Sequence, residues 1–268
     1  AGCSGDGTKG YFAGGDSVTT ADKLAYSTNT TIAQTTANLS QARVYLSGIS
    51  EGSTKGYFAG GFTGGASGQQ ATADKITYSN DTTAAQASAN LSQARYQIAG
   101  CSGDGKKGYF AGGQTSAIVA TADKIIYATD TTAAQTSANL SQARIYLAGV
   151  TEGYTKGYFA GGYTGSNVPV ATADKITFAT DITAAQTTAN LIVVTSHLAG
   201  IDGGAIPFGN NCVFSGNISS STLNWTNFIS GTFASGGGLR NFSSGTISSG
   251  MFGDSSVLSG SIASGQIF

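Results

Sequence analysis

The chain has 268 residues, 40 of them glycine and 2 proline, with 10% charged residues and a formal net charge of −1. So low and balanced a charge excludes the basic surface of a nucleic-acid binder and the acidic run of a solvating tail. No stretch reaches the about 18 uncharged apolar residues of a membrane helix, so no membrane insertion is expected, and 3 cysteines exclude a disulfide scaffold.

Gly-Tyr-Phe-Ala-Gly-Gly occurs at residues 10–15, 56–61, 108–113 and 157–162, and each copy opens a unit with the same internal order. A repeat this regular sets the fold. After each copy comes Ala-Asp-Lys with an aliphatic and an aromatic residue, as in Lys75-Ile76-Thr77-Tyr78. A Thr/Ala stretch follows, then Asn-Leu-Ser-Gln-Ala-Arg ending at Arg43, Arg95 and Arg144, then an apolar-Ala/Ser-Gly ending. β-Branched and aromatic residues bounded by Gly, Asn or Asp predict four short strands per unit, at 55–60, 73–79, 83–91 and 94–100 in the second. The Thr/Ala stretch is also compatible with one helical turn. Ile76 and Tyr78 lie two apart and point to one face, Lys75 and Thr77 to the other. Residues 1–7 duplicate 99–105, so the chain is expected to begin inside a unit.

The order Leu-Ser-Gln-Ala-Arg, apolar strand, Gly-rich turn, Lys-Gly-Tyr-Phe-Ala-Gly-Gly, variable loop, Asp-Lys-Ile-Thr-Tyr resembles the kelch repeat over residues 1–202. It departs from that repeat in lacking the tryptophan after the tyrosine. The resemblance implies an all-β fold, a kelch-like β-propeller with four blades of four antiparallel strands, closed as a ring of four or forming an arc of a larger ring. In the fourth unit Leu191-Ile192-Val193-Val194-Thr195 replaces Leu-Ser-Gln-Ala-Arg, an apolar edge that something is expected to cover.

From residue 203 to 268 the composition turns to Ser, Gly, Thr and Asn. Ile218, Leu223, Phe228 and Phe233 lie five apart, and the spacing resumes from Phe242 to Ile267. An odd spacing buries one face only if the backbone bends in each pentad. This predicts a second segment, a pentad-repeat β-solenoid or an intertwined fibre shaft that associates with copies of itself, expected as a trimer. Its wording, as in Ser259-Gly260-Ser261-Ile262, resembles the Ser/Gly-rich shafts of bacteriophage tail fibres.

Catalytic chemistry is sparse. The one histidine, His197, stands where the sister unit has Tyr146 and reads as a strand aromatic rather than a base. Cys3 and Cys101 stand where other units carry Ile49, Val150 and Ile201, and read as buried apolar thiols. No Cys/His cluster or calcium-loop spacing occurs, so neither a metal nor a cofactor is expected. Arg43, Arg95 and Arg144 match the arginines with which sialidases grip a carboxylate, but their recurrence predicts a structural job on neighbouring carbonyls or on Asp22, Asp74 and Asp123. Asp6, in Ser4-Gly5-Asp6-Gly7, reads as a turn residue.

The loops after the double glycine vary between units, which is how a repeated scaffold builds a binding surface. Phe62, Thr63, Gln69, Gln114, Tyr163 and Asn167 are the candidate ligand-binding residues. The expected function is non-enzymatic: a structural and adhesive protein of a virion appendage such as a phage tail fibre, virion-borne or extracellular, binding other virion proteins or a host-surface glycan. The alternatives are a secreted or cell-surface glycan-binding adhesin and, behind it, a propeller glycan hydrolase using those arginines with Glu51 or Glu152.

Overall fold

The computed structural model of the chain describes residues 1–200 apart from Ser166 and Asn167, together with the backbone of Asp202–Gly203. The solenoid or shaft expected from 203 onward, with its self-association and Cys212, lies outside the described residues.

The repeated Lys-Gly-Tyr-Phe-Ala forms β2 (Lys9–Ala13), β6 (Lys55–Ala59), β10 (Lys107–Ala111) and β14 (Lys156–Ala160). The Ala-Asp-Lys segments form β3 (Ala21–Ala25), β7 (Ala73–Thr77), β11 (Ala122–Ile126) and β15 (Ala173–Thr177). The Thr/Ala stretches give outer strands β4 (Thr30–Ala33), β8 (Thr82–Ala85), β12 (Thr131–Ala134) and β16 (Ile182–Ala185). The unit tails give short inner strands β1 (Gly2–Cys3), β5 (Ser47–Ser50), β9 (Ala99–Cys101) and β13 (Ala148–Glu152). These pair as four antiparallel meanders, β1 to β4, β5 to β8, β9 to β12 and β13 to β16, with β17 (Asp202–Gly203) parallel to β13. The fold is all-β, with four propeller blades.

Two strand expectations need correction. The strand expected over 83–91 stops at Ala85 and gives way to a 3-10 turn, Ala87–Ala89. Asn90 follows that turn, and its Oδ1 accepts the backbone N–H of Ala73, so the repeated Asn clamps the start of β7. The strand expected over 94–100 shrinks to Ala99–Cys101, because Gln97 has φ 59°, outside the β region. It pairs with β10, in the next blade, so the structural blade runs one strand ahead of the sequence unit. Residues 2–3 supply β1, the inner strand of the first four-stranded sheet.

Packing sits between blades. On β6 the alternation sends Tyr57 toward the next blade, into a cluster with Phe110, Ile125 and Tyr127. Phe58 faces the preceding blade, in a cluster with Tyr11, Ile76 and Tyr78. The third junction repeats this with Tyr109, Phe159, Ile176 and Phe178. Each junction stacks two rings, Tyr11 on Tyr78, Tyr57 on Tyr127 and Tyr109 on Phe178, at centroid separations of 5.8, 5.8 and 5.9 Å. Offset stacking adds to the burial of rings this large. Cys3 and Cys101 are buried in these junctions, as expected, and Cys3 Sγ lies 3.0 Å from Tyr78 Oη.

Polar groups close each junction at both ends. At the end of the double glycines Arg43 reaches the next blade, donating to Asp74 Oδ2 at 2.5 Å and to the carbonyls of Gly60 and Thr72. Arg95 repeats this with Asp123, Gly112 and Thr121, and Arg144 with Asp174, Gly161 and Thr172. The predicted structural role holds, with Asp174 joining Asp74 and Asp123. Burial pulls each guanidinium pKa down, and the paired aspartate offsets it. Asp22, the first-blade equivalent, is exposed and meets no arginine among the described residues.

At the opposite end the aspartate of each β-turn between the third and fourth strands enters the preceding blade. Asp81 accepts Lys9 and Tyr11 on Oδ1 and Lys23 on Oδ2, all at 2.6 Å. Asp130 takes Lys55, Tyr57 and Lys75, and Asp181 takes Lys107, Tyr109 and Lys124. Burial alone would raise these carboxyls, yet the lysine and tyrosine hydrogen bonds hold all three down at about 2. A carboxyl depressed in the folded state stabilises it above its unfolded pKa of about 4 and loses that contribution as the pH falls toward 2. The thermal midpoint is therefore expected to be flat above pH 5 and to drop steeply between pH 4 and 2, followed by circular dichroism, with Asp130→Asn flattening part of the drop.

Among the described residues the blades at the two ends of the series have uncovered faces. Phe58, Phe110 and Phe159 are 0% exposed, whereas Phe12 of the first blade is 55% exposed and Tyr26 is 40% exposed beside its buried equivalents. An ideal Cβ on Gly2 would meet only Phe12 and Tyr11 of its own sheet, while one on Gly100 would meet Gly48 and Ile49 of the blade before. Residues 191–195 are not an edge strand: they lie in irregular chain, and Ile192, Val193 and Val194 are exposed among the described residues.

Candidate binding site

Tyr45, Gln97 and Tyr146 lead into β5, β9 and β13 with positive φ of 57, 59 and 53°, and His197, in the matching position after the fourth blade, has φ 56°. Such backbone costs a non-glycine residue about 1 kcal/mol or more and persists where the surroundings over-determine it. Here a belt of hydrogen bonds does so. Gln97 N–H donates to Tyr45 O at 2.9 Å, Tyr146 N–H to Gln97 O at 3.2 Å, and His197 N–H to Tyr146 O at 3.0 Å. Successive blades thereby present one variable side chain each around a common mouth. The residues that follow, Leu46, Ile98, Leu147 and Leu198, line a cavity of about 610 Å³ along the inner strands.

Rings gather at this mouth. Tyr45 meets Tyr146 edge-on at 6.0 Å and Tyr96 at 6.2 Å, and Tyr146 lies 3.9 Å from the His197 ring. The variable loops bring in Phe62, 5.0 Å from Tyr96, and Tyr163, 6.2 Å from Tyr146 and 5.7 Å from His197. Gln97 Nε2 donates to Tyr146 Oη, while its Oε1 is buried with no protein partner. Burial, and then the neighbouring Tyr45, push the Tyr146 hydroxyl pKa up, so it stays a neutral donor.

Of the six candidate residues, Phe62 and Tyr163 join the cluster. Thr63, Gln69 and Gln114 build the loops that carry it: Thr63 N–H closes onto Gly68 O at 2.9 Å, Gln69 Nε2 reaches Thr115 O of the next blade at 3.4 Å, and Gln114 exchanges backbone bonds with Tyr96. Asn167 lies outside the described residues. Sequence reasoning missed Tyr45, Tyr96, Gln97 and Tyr146. For Tyr45, Gln97 and Tyr146 the available signal was the position two beyond Arg43, Arg95 and Arg144, which reads Tyr, Gln and Tyr, with His197 two beyond Thr195, while the next residue stays aliphatic.

The mouth carries aromatic faces, hydroxyls, an amide and an imidazole, and no carboxylate among the residues named. Glu51 and Glu152 belong to the turns at the other end of the blades, where Glu51 accepts Thr54 N–H at 2.8 Å and Glu152 accepts the Thr155 hydroxyl at 2.6 Å. The three arginines are 0% exposed inside the junctions. Among the described residues no group of three or more His, Cys, Asp or Glu is placed to hold a metal ion.

The solved structure of YjhT superimposes on this chain with a TM-score of 0.56 and 13% sequence identity, covering 76% of this chain and 70% of that one. The likeness is one of fold. YjhT is a β-propeller-type protein, and the four meanders described above match that architecture. No protein-family model matches the chain, and no curated protein matches it.

Proposed function

We propose that the chain is a non-enzymatic adhesive module of a virion appendage, of the phage tail-fibre kind, which binds a neutral glycan at the aromatic mouth. The observation that carries the binding half is the convergence of Tyr45, Gln97, Tyr146 and His197 with Phe62 and Tyr163. Flat rings accept the C–H faces of sugars, and the tyrosine hydroxyls and the imidazole of the mouth are of the kind that supplies orienting hydrogen bonds. The burial of Arg43, Arg95 and Arg144 supports a structural job for these three rather than a sialidase-like grip on a substrate carboxylate. The low charge, the repeat-built scaffold and the Ser/Gly-rich sequence after residue 203 support the appendage half.

Tyr146→Ala is expected to weaken binding of the best glycan from an array of neutral surface polysaccharide fragments at least tenfold, read by calorimetry. Its melting temperature should fall only slightly, because Tyr146 is half-exposed. Equal affinity of wild type and variant, or no glycan retained by the wild type, would remove the binding reading. Mass spectrometry of purified particles tests the appendage reading separately.

A further inference from the structure

The carboxylate socket that closes each junction is present a fourth time, with no carboxylate in it among the described residues. On the last blade Lys156, Tyr158 and Lys175 hold the same register as the filled copies, with Lys156 opposite Thr177 and Tyr158 opposite Lys175. In the second blade the corresponding pairs are Lys55 opposite Thr77 and Tyr57 opposite Lys75. A fourth donor is also in place. Thr36, Ser88 and Ser137 each receive a glutamine amide and donate to the carbonyl of the incoming aspartate at 2.7 Å. Thr188 receives Gln186 Nε2 at 2.7 Å in the same manner. Among the described residues nothing accepts from Lys156, Tyr158 or Lys175, and all three are half-buried.

The three filled copies define the occupant. Each is an aromatic-x-x-Asp turn: Tyr78-Ser79-Asn80-Asp81, Tyr127-Ala128-Thr129-Asp130 and Phe178-Ala179-Thr180-Asp181. The aspartate sits at φ 53 to 56° and gives its carboxylate to two lysines and a tyrosine. The aromatic ring stacks on that tyrosine, and in two copies its carbonyl takes a lysine at 2.5 Å. Two half-buried ammonium groups that face no anion among the described residues are a charge imbalance that such a turn neutralises. The sequence beyond residue 203 contains no aromatic-x-x-Asp. The first blade has Tyr26-Ser27-Thr28-Asn29 in the same place, with Asn29 at φ 54° and an amide in the carboxylate position. Thr195 likewise replaces the arginine that would meet Asp22 of a second copy.

We infer that the exposed face of β14 and β15 is a docking site for an aromatic-x-x-Asp β-turn on a further polypeptide segment, with Lys156, Lys175 and Tyr158 holding the carboxylate and Thr188 the turn carbonyl. Other copies of this chain are kept off it by Asn29 and Thr195. The site is independent of the aromatic mouth.

Restoring the missing carboxylate tests it with the full chain as its own probe. Asn29→Asp should strengthen self-association at least tenfold over wild type in sedimentation velocity. Lys156→Gln with Lys175→Gln in the same chain should return it to the wild-type value, with an unchanged circular dichroism spectrum. A cyclised hairpin of residues 73–85, confirmed as a hairpin by NMR, should bind the wild-type chain at least tenfold more tightly than its Asp81→Asn form. The inference is overturned if Asn29→Asp leaves association unchanged, if the gain survives loss of both lysines, or if the two hairpins bind alike. It is also overturned if wild-type assembly itself dissolves on removing the lysines, which would make a second copy's amide turn the occupant.

Discussion

Arg95→Ala is expected to destabilise the repeat domain by about 3–5 kcal/mol, because it strands a buried charge. Arg95 and Asp123 are both 0% exposed, and their oxygen and nitrogen lie 2.6 Å apart. Truncation leaves the Asp123 carboxylate without its cation and frees the carbonyls of Gly112 and Thr121, which Arg95 satisfies at 2.7 and 2.5 Å. Replacing both partners, Arg95→Met with Asp123→Leu, removes the two charges together and is expected to recover much of the loss. Urea unfolding of the three variants measures it. Were the single and double variants equally stable, the ion pair would not be the source of the effect.

Gly100→Val is expected to cost about 3 kcal/mol, the upper range for overpacking a close-fitted interior. Gly100 lies on β9, where its Cβ position is 2.9 Å from Gly48 O, 2.9 Å from Ser47 Oγ and 2.5 Å from Ile49 Cγ2. A branched side chain there pushes the second and third blades apart at the axis, where Ile49 is otherwise 2% exposed. Gly52→Ala makes the contrast, since nothing lies within 4 Å of that position and only its φ of 101° opposes a side chain. A thermal midpoint for Gly100→Val no lower than that for Gly52→Ala would show that the inner strands are not in contact as described.

The double glycine combines both demands. At Gly60, φ is 69° and a Cβ would stand 2.7 Å from the Arg95 carbonyl, so Gly60→Ala is strained and crowded together. A smaller loss than for Gly100→Val is expected in the same urea series, because one methyl group is added rather than three carbons.

Much of this architecture was legible in the repeat itself. The alternation in Lys75-Ile76-Thr77-Tyr78 placed Ile76 and Tyr78 on the buried face, and the recurrence of the arginine predicted a structural job on neighbouring carbonyls or on the repeated aspartates, both of which it meets. Blade phase was not legible. A period of about fifty residues fixes spacing but not where one sheet ends, and the break depends on the left-handed backbone of Gln97 and its relatives, which side-chain alternation does not encode. The mouth was half legible. Phe62 and Tyr163 announced themselves by loop variation, whereas Tyr45, Gln97 and Tyr146 sit beside the inner strands, where an aromatic reads as core. Only the backbone belt between blades turns them outward together.

The junction chemistry is directional: across each of the three joints the later blade gives an aspartate turn backward and the earlier one an arginine forward, so each joint is complete only between neighbours of the same orientation. Duplicating or deleting one whole period in the gene would leave every remaining joint intact, whereas a half-period insertion would misalign plug and hole at two places. Copy number is therefore the dimension along which this architecture can drift at least thermodynamic expense, with the last blade always carrying the spare coupling.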